Sequence, residues 1–302
     1  MTRSRSNHRR LLSLSAATFI AIALPSLVGL TTAGAASPSV SLKGFYLALG
    51  ASESVGYQPT LTSPDGQPTS DGYANDLVSY EASRGVSLQL TQLGCPGETT
   101  TSMINGSDPC YGGRSSQLAQ AISFLKAHHN DAGIVSIDIG FNNVAACMRN
   151  QQFDASCVSS GLATVAQEIP TILQELKSAA GPSVSFVGLG HYDPYLTAVI
   201  QGSGGSQFAA ASADAMSRLN DVLRNAYSAA SIPMAATGAI FESHDVGIVK
   251  IAGVGKVHEN VARVCQLTWM CKRAPFGPNI HLDDHGYDDI ARAIERALPA
   301  PW

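Results

Sequence analysis

Tyr46-Leu-Ala-Leu-Gly-Ala-Ser52-Glu-Ser-Val-Gly56 is the stretch whose reading decides the fold. An apolar run ends in Gly50, a small residue and a serine, and further small residues with Gly56 follow. This pattern predicts a buried strand turning sharply into a helix, with Ser52 at the strand's carboxyl end. In open α/β sheets that edge is where ligands bind. A serine there can attack a carbonyl if a base removes its proton, which is the first hypothesis; the plainer alternative is a cap for the helix that follows.

Outward from this strand, apolar β-rich runs alternate with helical patterns. Strands are expected at 44–49, 86–93, 133–139, 184–189 and, more weakly, 233–237. Helices are expected at 72–84, 115–128, 159–179, 207–229 and 286–298, the last with Ile290, Ala293, Ile294 and Ala297 at helical spacing. Such alternation predicts an α/β class chain: one three-layer α/β/α domain around a parallel sheet of about five strands. Loops are expected at 58–71, 202–206 and 241–279, and the length of the last suggests that it shapes a site.

The first residues belong to a different problem. Arg3, Arg5, Arg9 and Arg10 precede a mostly apolar run over 11–30, and Ala33-Gly-Ala35 offers small residues for a signal peptidase. Residues 1–36 are therefore expected to be a secretory signal peptide and 37–302 the folded domain, secreted to the cell exterior. A retained membrane anchor is the rival, but Ser13, Ser15, Thr18, Pro25, Ser26 and Gly29 dilute the run. Without residues 1–36 the chain has 15 basic and 23 acidic side chains, a net charge of −8. That excludes the basic footprint of a nucleic-acid or anionic-membrane binder. A monomer is expected.

Six cysteines, Cys95, Cys110, Cys147, Cys157, Cys265 and Cys271, all lie beyond the leader. An even count in an exported chain favours disulfides over a zinc site, which would want paired short spacings. Sequential pairing, Cys95–Cys110, Cys147–Cys157 and Cys265–Cys271, is expected because each pair closes a short loop. No HExxH, Walker or dinucleotide motif occurs, so the sequence implies no metal and no cofactor.

Four blocks carry candidate chemistry. Besides Ser52, they are Leu93-Gly-Cys-Pro-Gly97-Glu-Thr-Thr-Thr, Ile137-Asp-Ile-Gly140-Phe-Asn142-Asn143, and Asn279-Ile-His281-Leu-Asp-Asp-His285-Gly-Tyr287. In this order they resemble the serine, glycine, asparagine and histidine blocks of the SGNH (GDSL) esterases and lipases, over about 45–298. The resemblance implies a flavodoxin-like SGNH hydrolase fold and hydrolysis of a small-molecule or lipid ester through an acyl-enzyme. It makes Ser52 the nucleophile and His281 the general base, with an oxyanion hole from the Ser52 and Gly97 N–H groups and the Asn142 side-chain amide. Each residue also has a plainer reading: turn punctuation for Gly97, a cap or loop bridge for Asn142, and for His281 a nearby rival in His285. An acyltransferase acting on a sugar or lipid hydroxyl, or a non-catalytic binding protein on the same fold, are the alternatives.

Two positions depart from the family pattern. Ala51 stands where the family has aspartate before the serine, so the turn should be looser or differently braced. Asn279 and Pro278 stand where an acid usually precedes the histidine. The expectation is a Ser52–His281 dyad oriented by a main-chain carbonyl near Pro278; Asp283, Asp284 and Glu259 are the other candidates. His191, Tyr192 and Tyr195, after the fourth strand, should reach the mouth of the site, while Glu53 is expected to be a solvated helix-start residue.

Overall fold

Leu42–Gly50 forms the central strand, β1, and its side chains alternate between two cores. Phe45, Leu47 and Leu49 enter one, and Tyr46 and Ala48 the other. A strand buried on both faces reads as a continuous apolar run, and five of its residues are less than 4% exposed. The computed structural model describes residues 42–202, 204–242 and 244–299. The expected signal segment, 1–36, lies outside the described residues.

The other sheet strands are β2 (Val86–Gln92), β3 (Gly133–Asp138), β4 (Val184–Leu189) and β5 (Met234–Ala235). All neighbours pair in parallel, in the order β2-β1-β3-β4-β5. This is the doubly wound order with its switch point between β1 and β3, where a ligand crevice opens at the strands' carboxyl ends. Register aligns Gly50 of β1 with Asp138 of β3. Gly50 has φ +129°, and a Cβ there would lie 1.8 Å from the Asp138 carbonyl oxygen, so this end of the strand tolerates only glycine.

Helices α1 (Tyr73–Ser83), α8 (Glu259–Leu267) and α9 (Asp284–Ala297) share a core with Tyr46, Ala48, Val187 and Leu189. On the opposite face lie α3 (Gln117–Ala127), α5 (Ala155–Ala179) and α6 (Gly205–Ala229). The three-layer expectation therefore holds. Short helices α2 (Thr100–Asn105), α4 (Phe141–Ala145) and α7 (Thr237–Ile240) escaped the sequence reading because each is too short for a helical period to show.

The 241–279 segment is not a plain loop. It holds a hairpin (Ile248–Ile251 with Gly255–His258), α8 and a 3-10 turn at Trp269–Cys271. Its cysteines, Cys265 and Cys271, are joined, as are Cys95 with Cys110 and Cys147 with Cys157. Among the described residues no helix is long and apolar enough to cross a membrane.

Candidate active site

Ser52 opens a three-residue 3-10 turn, Glu53–Val55, at the sharp turn expected after the strand. It makes no side-chain cap to that turn; its Oγ lies instead 2.9 Å from His281 Nε2. The absent aspartate at position 51 is replaced by a different brace. Ala51 N–H donates to the Asp138 carbonyl at 2.8 Å, and Ser54 Oγ donates to the Ala51 carbonyl at 2.7 Å. Gln117, the first residue of α3, clasps Gly50 from both sides. Its Oε1 accepts from Gly50 N–H at 2.6 Å and its Nε2 donates to Gly50 O at 2.9 Å. The same Nε2 donates to Glu98 Oε2 at 2.8 Å, which ties the first block to the second. Nothing in the sequence near Gln117 signals this role; the contact spans 67 residues.

Gly97 occupies the third position of a turn, Cys95-Pro-Gly-Glu98, closed by Glu98 N–H donating to the Cys95 carbonyl at 3.0 Å. Its φ of +87° is what a type II turn requires there, with proline ideal one residue earlier. Open space surrounds its Cβ position, so backbone conformation, not packing, demands the glycine. Among the described residues neither the Ser52 nor the Gly97 N–H is taken up by a main-chain carbonyl. Asn142, on α4, donates one Nδ2 hydrogen to the Glu98 carbonyl at 3.0 Å, leaving the second hydrogen of that amide for the pocket. Its neighbour Asn143 links α4 to α2 through Thr100, bonding its N–H at 3.1 Å and its hydroxyl at 2.9 Å.

His281 is oriented by a side chain, which corrects the expectation of a main-chain carbonyl near Pro278. Asn279 Oδ1 lies 2.7 Å from His281 Nδ1 and also accepts from His281 N–H at 3.1 Å. The amide's other end donates to the Asp65 carbonyl at 3.1 Å, so the oxygen is fixed toward the ring. An accepting oxygen on Nδ1 puts the ring hydrogen there and leaves the Nε2 lone pair facing Ser52. Burial lowers the pKa of His281 to about 4, so the ring is neutral near pH 7. Tyr57 packs against it with ring centroids 4.7 Å apart.

The rival groups have other work. Asp283 caps α9 by accepting from Gly286 N–H at 3.2 Å and pairs with Lys272 at 3.2 Å. Asp284 Oδ1 accepts from Gln58 at 3.0 Å. His285 is exposed on α9, and Glu259 opens α8 away from the pocket lining.

Ser52, Gly97, Asn142 and His281 line one pocket of about 230 Å³. His191 and Tyr192 form part of its wall, as expected. Tyr195 does not; it stacks on Phe141 with centroids 6.4 Å apart. Glu53 is not a solvated residue: it is partly buried and lines the pocket, because the tight 3-10 turn sends its side chain inward beside Asp138 and His191. A larger groove of about 940 Å³, also lined by His191, contains none of Ser52, Gly97, Asn142 and His281.

No family model matches this sequence, and no curated protein does either. Solved structures do. The chain is similar to phospholipase A1 from Streptomyces albidoflavus NA297, with a TM-score of 0.56 and 19% identity, covering 84% of this chain and 99% of that one. It is similar to an extracellular lipase from Streptomyces rimosus, with a TM-score of 0.56 and 18% identity, covering 85% and 99%. A lipase from a goat rumen metagenome follows at a TM-score of 0.51 and 16% identity, covering 85% and 97%. Together with the β2-β1-β3-β4-β5 sheet, this likeness shows that the chain has the α/β/α fold of these lipases, the fold expected from the sequence resemblance. The chemistry rests on the chain's own residues.

Proposed function

We infer that this protein is a secreted serine esterase that hydrolyses carboxylic esters through an acyl-enzyme. The observation that carries the reading is the 2.9 Å contact between Ser52 Oγ and the His281 Nε2 lone pair, facing a pocket lined by Gly97 and Asn142. Ser52 Oγ attacks the ester carbonyl as His281 Nε2 takes its proton. Asn279 Oδ1 keeps the Nδ1–H in place throughout. The oxyanion accepts from Ser52 N–H, Gly97 N–H and the spare Asn142 hydrogen; loss of one such donor typically costs about 2.7–4 kcal/mol in the barrier. His281 then returns the proton to the departing alcohol, and water repeats the sequence on the acyl-enzyme. The pocket lies below the usual ~300–1,000 Å³ of ligand clefts, which favours short acyl chains. The leader-like residues 1–36 and the three disulfides support export.

Hydrolysis of p-nitrophenyl esters from acetate to palmitate, by the protein and by folded Ser52→Ala, tests this. Turnover of the short esters that vanishes in the variant is the expected result. Equal rates in the two proteins would instead make the fold a binding module, or a transferase lacking its acceptor.

A further inference from the structure

The pocket holds a second group of side chains that the ester chemistry does not use. Glu53, Asp138 and His191 each present one ligand atom, and these atoms lie within 4.8 Å of one another. Asp138 is 1% and His191 4% exposed, so the group sits at the inner wall. The hydrogen positions on His191 follow from its contacts. Its Nε2 lies 3.1 Å from the Ile139 carbonyl, which can only accept, so Nε2 carries the hydrogen. In the neutral ring Nδ1 is then a bare lone pair, and it faces Asp138 Oδ1 at 3.6 Å. The second carboxylate oxygen, Asp138 Oδ2, is buried with no partner.

Two buried acceptors facing each other call for a positive charge between them. A proton on Nδ1 would draw the carboxylate to roughly 2.7–2.9 Å, shorter than the separation found. An ion about 2.1 Å from a nitrogen and an oxygen at a tetrahedral angle holds them roughly 3.4 Å apart, close to it. His191 has the support that a metal-bound histidine normally shows, its other ring N–H donating to a main-chain carbonyl. Asn220 further fixes its backbone through two bonds of 2.8 Å.

We propose that Glu53, Asp138 and His191 form a binding site for one divalent transition-metal ion, zinc foremost, in the wall of the Ser52 pocket. An imidazole in the donor set favours zinc and its neighbours over calcium or magnesium. Three protein ligands leave at least one position for water or a substrate oxygen. The site stands independently of whether Ser52 hydrolyses esters.

Calorimetric titration of the untagged, EDTA-treated protein with Zn²⁺ alone tests the proposal, with Co²⁺ absorption as a second reading of the ligand field. One ion per chain is expected, and a Co²⁺ spectrum that changes in Glu53→Gln. His191→Ala and Asp138→Asn should each weaken binding at least ~10-fold, whereas Ser52→Ala should bind as the parent does. If the alanine variant fails to fold, Asp138→Asn, which keeps the side chain's shape, decides. No stoichiometric uptake, or uptake indifferent to both substitutions, overturns the site. So does a nitrogen NMR spectrum of the EDTA-treated protein titrated with Zn²⁺ in which His191 stays protonated on both nitrogens at neutral pH.

Discussion

At Asn279 a neutral amide occupies the place from which a carboxylate would stabilise an imidazolium. The amide fixes the His281 tautomer, as its 2.7 Å contact with Nδ1 shows, but adds no negative charge to offset burial. The pKa of His281 therefore falls to about 4, and the ring stays unprotonated well below neutral pH. Asn279→Asp would put a charge beside the ring and raise that pKa. The acid limb of kcat/KM for a short p-nitrophenyl ester should then move to higher pH, with the rate at pH 8 unchanged or greater. An acid limb that stays put would mean that a different group sets it. Asn279→Ala tests the tautomer itself. With the ring free to turn, kcat should fall by about 10²–10⁴-fold, by analogy with the loss of the orienting group in a serine protease triad.

At the scale of elements, the Ser52 turn and the segment carrying His281 adjoin different helices, so the two can be loosened separately. The start of α3 delivers Gln117 to Gly50 and Glu98. Gln117→Leu would leave these buried groups unpaired, at about 1–3 kcal/mol each. The folded variant should lose Tm and, through the displaced turn, more kcat than KM. The start of α9 is capped by Asp283. Asp283→Ala should lower stability by about 0.5–2 kcal/mol, the usual worth of a cap, while kcat is retained; lost turnover would make this carboxylate part of the base's support. These elements differ in how far the sequence reveals them. β1 to β4 and the five long helices are legible because each is a local pattern of apolar residues. Ser52, Gly97, Asn142 and His281 are legible because each follows a strand or precedes α9 in a recognisable block. Gln117, and the meeting of Glu53 with Asp138 and His191, are illegible because only the sheet's register joins residues so far apart. The side-chain role of Asn279 was hidden for a smaller reason, since sequence does not show where an amide turns.

Across the whole molecule, buried charge and disulfides converge on the sheet's carboxyl edge. Glu98 is fully buried, and burial raises its pKa to about 7. A carboxyl raised in the folded state adds stability below the unfolded value, roughly pH 4.3, and loses it as pH climbs through about 7. Glu98→Gln mimics the protonated acid, so the difference in Tm between variant and parent should grow in the variant's favour from pH 4.5 to 8. A constant difference would show that Glu98 does not titrate in this window. The disulfides act on the same edge. Cys95 lies two residues before Gly97, Cys147 follows the helix that carries Asn142, and the Cys265–Cys271 loop contains Thr268, whose bridge to Leu282 lies beside His281. The first link ties the Gly97 turn to the turn between α2 and α3, the second ties the end of α4 to α5, and the third ties α8 to the 3-10 turn that follows it. The 15-residue separation of Cys95 and Cys110 corresponds to about 3 kcal/mol of denatured-state constraint. Replacing both by serine should therefore lower stability by that order and also depress kcat, because the Pro96-Gly97 turn loses its anchor. The Cys147–Cys157 link closes a shorter loop, and its loss should cost less. Stability curves and kcat measured side by side check the coupling: a Cys95–Cys110 variant that lost stability but kept kcat would show that the Gly97 turn holds its shape without the link.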